Sequence, residues 1–402
     1  MSSRVLLCTS VTWPYAARLA AAFAQAGARV EALFPRRHPM RFSRHLSAQY
    51  AYSPLSPLDS LRRAIAAAAP DLLIACDDRA ASQLRQLHDE AEHPALADLI
   101  TRSLGDLSVY PRLTARHAFV NEARMIGVTA APSMAVASEK ELEAAFGIFG
   151  FPAVLKADES WGGDGVVLAH GAAEARQAFH RFAAAASPLR EMARAMKKRD
   201  AHFLSARSRE APAISVQKFV DGRPATTSFA CWQGEIVGIN HFDVIETCGD
   251  TGPASVVRQV DCPWMEDAAQ KIAAHFGLSG LHGLDFMRDR EGVAHLIEIN
   301  PRATPTSYLA LGLDHDLTAG LLTAALGHPA VPRPAATTND LIALFPQEWT
   351  RDPHSAHFAS AFHDAPWDDP VLLRASLGEG RAIPTRRRLN DNLAEAGLGF
   401  QL

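Results

Sequence analysis

The 402-residue chain has only five cysteines, Cys8, Cys76, Cys231, Cys248 and Cys262, and no two of them form a CxxC pair. An odd number without metal-ligand spacing argues against a disulfide framework or a zinc site and leaves reduced, mostly buried thiols as the expectation. No apolar run of about eighteen residues occurs, so no membrane-spanning helix is expected. The N-terminus shows no charged leader followed by a long apolar segment, which makes a cytoplasmic location the expectation. Long basic blocks are missing as well. The one local cluster, residues 196–210, reads as a solvated helix end or loop, and with a formal net charge of −4 no nucleic-acid partner is expected. Neither GxxxxGK[ST] nor GxGxxG is present, which removes the Walker and Rossmann phosphate loops. No repeat of solenoid period is found. What is present is ordinary for a folded protein of more than one domain: 48% hydrophobic and 21% charged residues.

The most informative segment is residues 281–308. Two apolar runs, Leu281 to Met287 and Val293 to Asn300, flank the polar turn Arg288-Asp289-Arg290-Glu291-Gly292 and read as a β-hairpin. Side chains alternate along strands, so Leu296, Glu298 and Asn300 are expected on one face, with Ile297 and Ile299 on the other. Pairing Arg288 with Val293 would set Asp285 opposite Leu296 and diagonal to Glu298, roughly 7 to 8 Å apart. Two carboxylates so placed repel unless a cation lies between them. Oxygen donors without histidine or thiolate suit magnesium or manganese, making Asp285, Glu298 and Asn300 the candidate metal ligands. Two ions about 3.5 to 4 Å apart, bridged by Glu298, are one arrangement.

Upstream, a short apolar strand ends at Lys156, and Ser160, Trp161, Gly162, Gly163, Asp164 and Gly165 lead into a second strand, Val166 to Leu168. Three glycines let backbone amides approach phosphate oxygens, in a strand-loop-strand setting. Further segments in the same order are residues 113–133, where a helix pattern ends at Gly127, and the strand 214–231, which contains Gln217, Lys218, Phe219 and Val220.

Taken together, Asp285 with the EINPR segment 298–302, the Lys156 strand and glycine loop, the 217–220 strand and the helix before Gly127 span about 190 residues. Their order resembles the ATP-grasp superfamily. That resemblance implies an α/β chain with α+β lobes: a Rossmann-like domain over residues 1–111, an ATP-grasp domain over 112–330 with its ATP cleft between two lobes, and a small C-terminal closing subdomain over 331–402. It also implies ATP and Mg2+ (or Mn2+) as cofactors. Lys156 and the loop residues Ser160, Gly162, Gly163 and Gly165 would contact nucleotide phosphates, as would Arg116, which stands where many members have lysine. Gln217, Lys218, Phe219 and Val220 would form the adenine hinge. The chain departs from the pattern in three further places. Gln217 replaces a common glutamate, Arg223, Pro224, Ala225 and Thr226 stand where a ribose-binding glutamate often lies, and Gly283 stands where several branches place an arginine.

The expected activity is that of an ATP-dependent ligase: activation of a carboxylate as an acyl phosphate, coupling to an amine, and release of ADP and phosphate. Cations are needed around the transferred phosphoryl group, and Arg302 and Arg258 are the candidates. His241 could accept a proton from the amine, and Asp243 or Glu246 could hold it. Asp77 and Asp78, at the end of a predicted strand over residues 70–78, are either substrate contacts or helix caps. The expected partners are a small-molecule carboxylate and an amine, with no nucleic acid, no membrane, and a homodimer left open. A phosphotransferase, a carboxylase and a nucleotide sensor are the alternatives.

Overall fold

The structure is a computed structural model, and it describes residues 3–158, 165–184, 212–249, 252–312, 314–327, 329–331 and 333–377. It opens with four parallel strands, β1 (Arg4–Cys8), β2 (Arg29–Pro35), β3 (Ala48–Tyr52) and β4 (Leu72–Ala75), in the order β3-β2-β1-β4. β4 is buried along its whole length and reads in sequence as an uninterrupted apolar run, as a sheet covered on both faces requires. One face is covered by α1 (Tyr15–Gln25). The other lies under α2 (Pro57–Ala68), α3 (Asp78–Asp89) and α4 (Pro94–Leu104). The edge strand β3 has an alternating burial pattern, and no strand was expected there.

Two further helices, α5 (Tyr110–Thr114) and α6 (Arg116–Met125), lead into a small antiparallel sheet of order β5-β8-β6-β7. Its strands are β5 (Ser133–Val136), β6 (Ala153–Ala157), β7 (Val166–Ala169) and β8 (Ile214–Lys218). Helices α7 (Glu139–Phe149) and α8 (Ala172–Ala183) pack on it over a core that includes Leu142, Leu155, Phe179 and Val216.

The main sheet has seven strands in the order β13-β12-β9-β10-β11-β14-β15. They are β9 (Gly222–Trp232), β10 (Glu235–Thr247), β11 (Ala254–Gln259), β12 (Gly280–Asp289), β13 (Ala294–Asn300), β14 (Leu341–Leu344) and β15 (Phe362–Asp364). One face buries α6 and α9 (Pro263–Phe276). The other, with α10 (Leu317–Leu326), shares a single apolar cluster with the N-terminal sheet, in which Leu281 and Phe242 join Leu7 and Phe23.

Residues 331–377, set apart in sequence as part of a closing subdomain, therefore add two strands to the main sheet. The buried ion pair of Arg18 on α1 with Asp364 on β15 (2.6 Å) ties that segment back to the first domain. Among the described residues, no helix is long and apolar enough to cross a membrane. All five cysteines are free, and Cys248 alone among them is not fully buried.

Candidate active site

The β12–β13 hairpin turns on Asp289, whose Oδ1 accepts the amides of Glu291 (3.1 Å) and Val293 (2.9 Å), with Gly292 at φ +83°. An aspartate that bonds its own turn and a glycine in the left-handed region are what such a reversal needs. The ladder then pairs Arg288 with Ala294, Met287 with His295 and Phe286 with Leu296, but Asp285 with Glu298. Ile297 is the extra residue of a β-bulge. This corrects the regular register: Asp285 faces Glu298 directly rather than Leu296. The bulge also sends Leu296 away from the carboxylates, into the core with Leu284, Phe286 and Ile299. Asp285, Ile297, Glu298 and Asn300 line a cleft of about 1720 Å³ that runs between the N-terminal domain and the main sheet.

The two carboxylates are not equivalent. Burial, and then the charge of Glu298, pushes the Asp285 carboxyl up to about 6, against the pull of hydrogen bonds from Asn300 and Thr226. Burial works against Glu298 too, yet Arg116, Lys156 and Arg302 hold its carboxyl below its ordinary value. Arg116 Nε lies 3.1 Å from Glu298 Oε2, and Lys156 Nζ lies 3.9 Å from the same oxygen. Arg116 also donates from Nη1 to the carbonyl of Ala157 (2.6 Å), which fixes it against the end of β6. Lys156 is 5% exposed, and burial lowers its ammonium to about 8, partly offset by Glu298. Glu298 is therefore where the strand-end lysine and the helix arginine meet.

A divalent cation fits this donor set. The donors are hard oxygens, and the directly opposed carboxylates of Asp285 and Glu298 are like charges that a cation between them would neutralise. Among the described residues, no group of three or more His, Cys, Asp or Glu could hold a metal by itself. Magnesium and manganese do not require one, since they draw remaining ligands from water and phosphate.

Arg302 closes the same end of the cleft. Its Nε donates to Asp78 Oδ2 (3.1 Å), Nη1 to the Ala303 carbonyl (3.0 Å) and Nη2 to Asn300 Oδ1 (2.9 Å). Its guanidinium lies 5.3 Å from the Trp13 ring centroid. Asn300 in turn donates from Nδ2 to Asp285 Oδ2 (2.8 Å). The adjacent acids Asp77 and Asp78 have divided their work. Asp77 is 2% exposed and caps α3 through the amide of Ala80 (2.9 Å), while also accepting from Thr9 and Ser10. Asp78 reaches across to Arg302. Neither this contact nor Trp13 was found from the sequence, where the only signal was acids at the carboxyl end of a parallel strand.

The hinge differs from its sequence reading in detail. Gln217 is 3% exposed, and its amide lies 3.4 Å from the carbonyls of Ala131 and of Ile297, the bulge residue. A glutamate could not donate to either carbonyl, which explains an amide here. Lys218 N donates to the Pro132 carbonyl (2.8 Å), and Lys218 and Val220 line a separate pocket of about 380 Å³ with Arg124 and His295. Phe219 is half-buried. In the glycine loop, Gly165 is buried and its carbonyl accepts the Ala157 amide (2.9 Å), closing the base of the loop. Ser160, Gly162 and Gly163, like the basic cluster 196–210, lie outside the described residues.

Two candidates are not brought to the cleft. His241 aligns with Thr227, which aligns with Leu284, on the face opposite Asp285. Its Nδ1 pairs with Thr227 Oγ1 (2.9 Å), and burial together with nearby His315 lowers it to about 4. It is a core histidine rather than a base for the amine. Arg258 pairs with Asp340 (3.4 Å) at the surface, and it is not among the residues that line the cleft. The acids expected to hold an amine are also engaged elsewhere: Asp243 with Arg288 (2.5 Å), and Glu246 with Arg351 and His357.

A family model described as an ATP-grasp domain matches residues 190–306, which contain the hinge strand and the whole carboxylate hairpin. The chain has the ATP-grasp fold. Among solved structures it is similar to the carboxyaminoimidazole ribonucleotide synthase of Aspergillus clavatus complexed with ATP, with a TM-score of 0.57, 14% identity, and coverage of 83% of this chain and 78% of that one. The biotin carboxylase of Campylobacter jejuni gives 0.60 and 15%, covering 83% and 72%. The biotin carboxylase domain of the Hydrogenobacter thermophilus 2-oxoglutarate carboxylase, solved with MgADP and bicarbonate, gives 0.57 and 15%, covering 83% and 71%. Among curated proteins, none has a matching sequence.

Proposed function

We propose that the chain is an ATP- and magnesium-dependent ligase that activates a carboxylate as an acyl phosphate, couples it to an amine and releases ADP and phosphate. The observation that carries this reading is the directly opposed pair Asp285 and Glu298, surrounded by Arg116, Lys156 and Arg302 at one end of a cleft between domains. Phosphoryl transfer to a carboxylate is mainly a matter of position and charge neutralisation, which these cations supply without any nucleophile from the protein. Asp285, Glu298 and Asn300 would hold the metal, whose chemistry is to neutralise and orient phosphate oxygens. Lys156 and Arg116, which contact Glu298, would turn to the nucleotide phosphates, with residues 217–220 as the adenine strap. Arg302 faces the acyl acceptor of the phosphoryl group.

The experiment is ADP release by the full chain with MgATP across pairs of carboxylates and amines, with hydroxylamine added to trap an acyl phosphate as a hydroxamate. Hydroxamate formed in step with ADP is the expected result. A phosphorylated product stable to hydroxylamine would indicate a phosphotransferase instead, and tight ATP binding without turnover a sensor.

A second reading is favoured by the similarity to the biotin carboxylase domain solved with bicarbonate. Here bicarbonate is the carboxylate that is phosphorylated. ADP release that requires bicarbonate and is indifferent to organic acids selects it.

A further inference from the structure

The strongest feature that the proposed chemistry leaves unused is a continuous line of hydrogen bonds from the N-terminal domain to the carboxylate hairpin. Asp78 Oδ2 accepts from Arg302 Nε (3.1 Å), Arg302 Nη2 donates to Asn300 Oδ1 (2.9 Å), and Asn300 Nδ2 donates to Asp285 Oδ2 (2.8 Å). Its first residue is supplied by α3 and its other three by β12, β13 and the turn after it. We propose that Asp78 is a positioning residue: it sets the plane and direction of the Arg302 guanidinium and, through it, the orientation of the Asn300 amide. This rests on the ligase reading of the cleft.

Three observations support the assignment. First, the guanidinium has five N–H donors, and three are used by Asp78, Asn300 and the Ala303 carbonyl. Among the described residues two donors are left for an oxyanion, and their direction follows from the three bonds already made. Trp13 lies against the guanidinium at 5.3 Å, so the plane is held from the side as well.

Second, Asp78 is itself held rigidly. It is the first residue of α3, its neighbour Asp77 is locked by Thr9, Ser10 and the Ala80 amide, and it follows the buried strand β4. The segment after β13 docks on the same strand end: Ala303 N donates to the Ala75 carbonyl (3.0 Å), and Tyr15 Oη donates to the carbonyls of Ala303 and Cys76. Arg302 is therefore pinned between two domains rather than extended from one.

Third, an asparagine side chain has no intrinsic preference for which end carries its oxygen. Here Arg302 can only donate and Asp285 accepts, so Asn300 must turn Oδ1 towards Arg302 and Nδ2 towards Asp285. Without Asp78, a long flexible arginine loses the bond that aims it, and the order along the line is lost with it. The N-terminal domain thereby contributes directly to the reacting end of the cleft.

The test is a double-mutant cycle on the full chain, read as kcat and KM for ADP release with MgATP together with the thermal midpoint. The variants are Asp78→Ala, Asp78→Asn, Arg302→Ala and the double substitution of both residues by alanine. Loss of an orienting partner typically costs on the order of ten- to hundredfold. The expected result is a fall of that size in kcat for Asp78→Ala with KM for ATP within about twofold. Asp78→Asn, which keeps an accepting oxygen, should show a smaller but measurable loss, and Asp78→Ala should add nothing in the Arg302→Ala background. An equal loss in both backgrounds, a rise in KM with kcat unchanged, or no loss at all would overturn the assignment. Should Asp78→Ala fail to fold, Asp78→Asn is compared in the two backgrounds, and an equal effect or no effect is then the overturning result. A parent chain that binds ATP yet releases no ADP with any acid, bicarbonate included, overturns the ligase reading itself, and the catalytic role of this link with it.

Discussion

Asp285 and Glu298 stand directly opposite one another on β12 and β13 because Ile297 is left out of the ladder as a bulge. Two acids in register are unfavourable in an ordinary sheet. Here Arg116, Lys156 and the Asn300–Arg302 bonds surround them and offset their repulsion.

Removing one charge from the pair should disable turnover. Glu298→Gln is expected to lower kcat for ADP release by at least about a hundredfold, roughly 2.7 kcal/mol of transition-state stabilisation. The measurement is steady-state ADP release at saturating ATP. A rate within about threefold of the parent would remove Glu298 from the metal set.

Lys156 should make nucleotide capture sensitive to alkaline pH. Burial lowers its ammonium to about 8, so the free protein carries this charge below that pH and loses it above. kcat/KM for ATP, which reports groups of the free enzyme, is expected to fall as pH rises through about 8. Lys156→Arg keeps its charge throughout and should flatten that limb. Lys156→Met should lower kcat/KM by about tenfold or more at neutral pH, as expected for losing a charged hydrogen bond of about 1.5 kcal/mol. An unchanged alkaline limb in Lys156→Arg assigns it to another group.

Gly283 has little room for a side chain, because Thr304 packs against its Cα. A Cβ at Gly283 would meet the Thr304 methyl well inside contact distance, with Asn300 Cβ 3.6 Å away. Gly283→Ala is expected to destabilise the fold by about 1 to 3 kcal/mol, the usual range for overpacking. Thr304→Ser removes the methyl and keeps the hydroxyl that pairs with Ser228 (2.8 Å). In that background the penalty should shrink, read from chemical denaturation. Equal penalties in both backgrounds would locate the strain elsewhere.

His363 should make the fold acid-sensitive. It is 6% exposed among Phe358, Trp349 and Trp367, with ring centroids 4.9, 6.0 and 5.5 Å away, and neither ring nitrogen has a hydrogen-bond partner among the described residues. Burial lowers it to about 4, although Asp364 and Glu348 pull the other way. Between that value and the unfolded value of about 6.5, the unfolded chain binds more protons than the native one. Its contribution is therefore complete above about pH 6.5 and is lost as pH falls towards 4. His363→Phe should raise the thermal midpoint relative to the parent more at pH 5 than at pH 8. A difference that does not change with pH counts against this assignment.

Most of the fold was legible because it is written in short-range patterns. β1, β2 and β4 are apolar runs, Gly27 and Gly127 follow their helices, and both arms of the hairpin match their predicted strands to within a few residues. Strand alternation placed Glu298 and Asn300 together but failed at Leu296, because a period of two assumes an unbroken ladder and the bulge breaks it. Arg258 was chosen as a cation for the phosphoryl group and His241 as a proton acceptor, both by residue type. Residue type does not say which face of a strand a side chain takes, and a one-residue step sends it to the other side.

Residue types and spacing within segments singled out Asp285, Glu298 and Asn300 as candidate hard-oxygen donors and the lysine before the glycine loop, while the two-lobed fold was implied by the order of these segments, which resembles the ATP-grasp superfamily. Tertiary structure alone decided that the carboxylates face one another, that Arg116 and Lys156 converge on Glu298, and that Arg302 answers to Asp78, 224 residues away. The reason is physical. A bulge, a converging ion pair and a bond between domains are each selected by the total packing of distant elements, and no local rule of the chain specifies which partner is within reach.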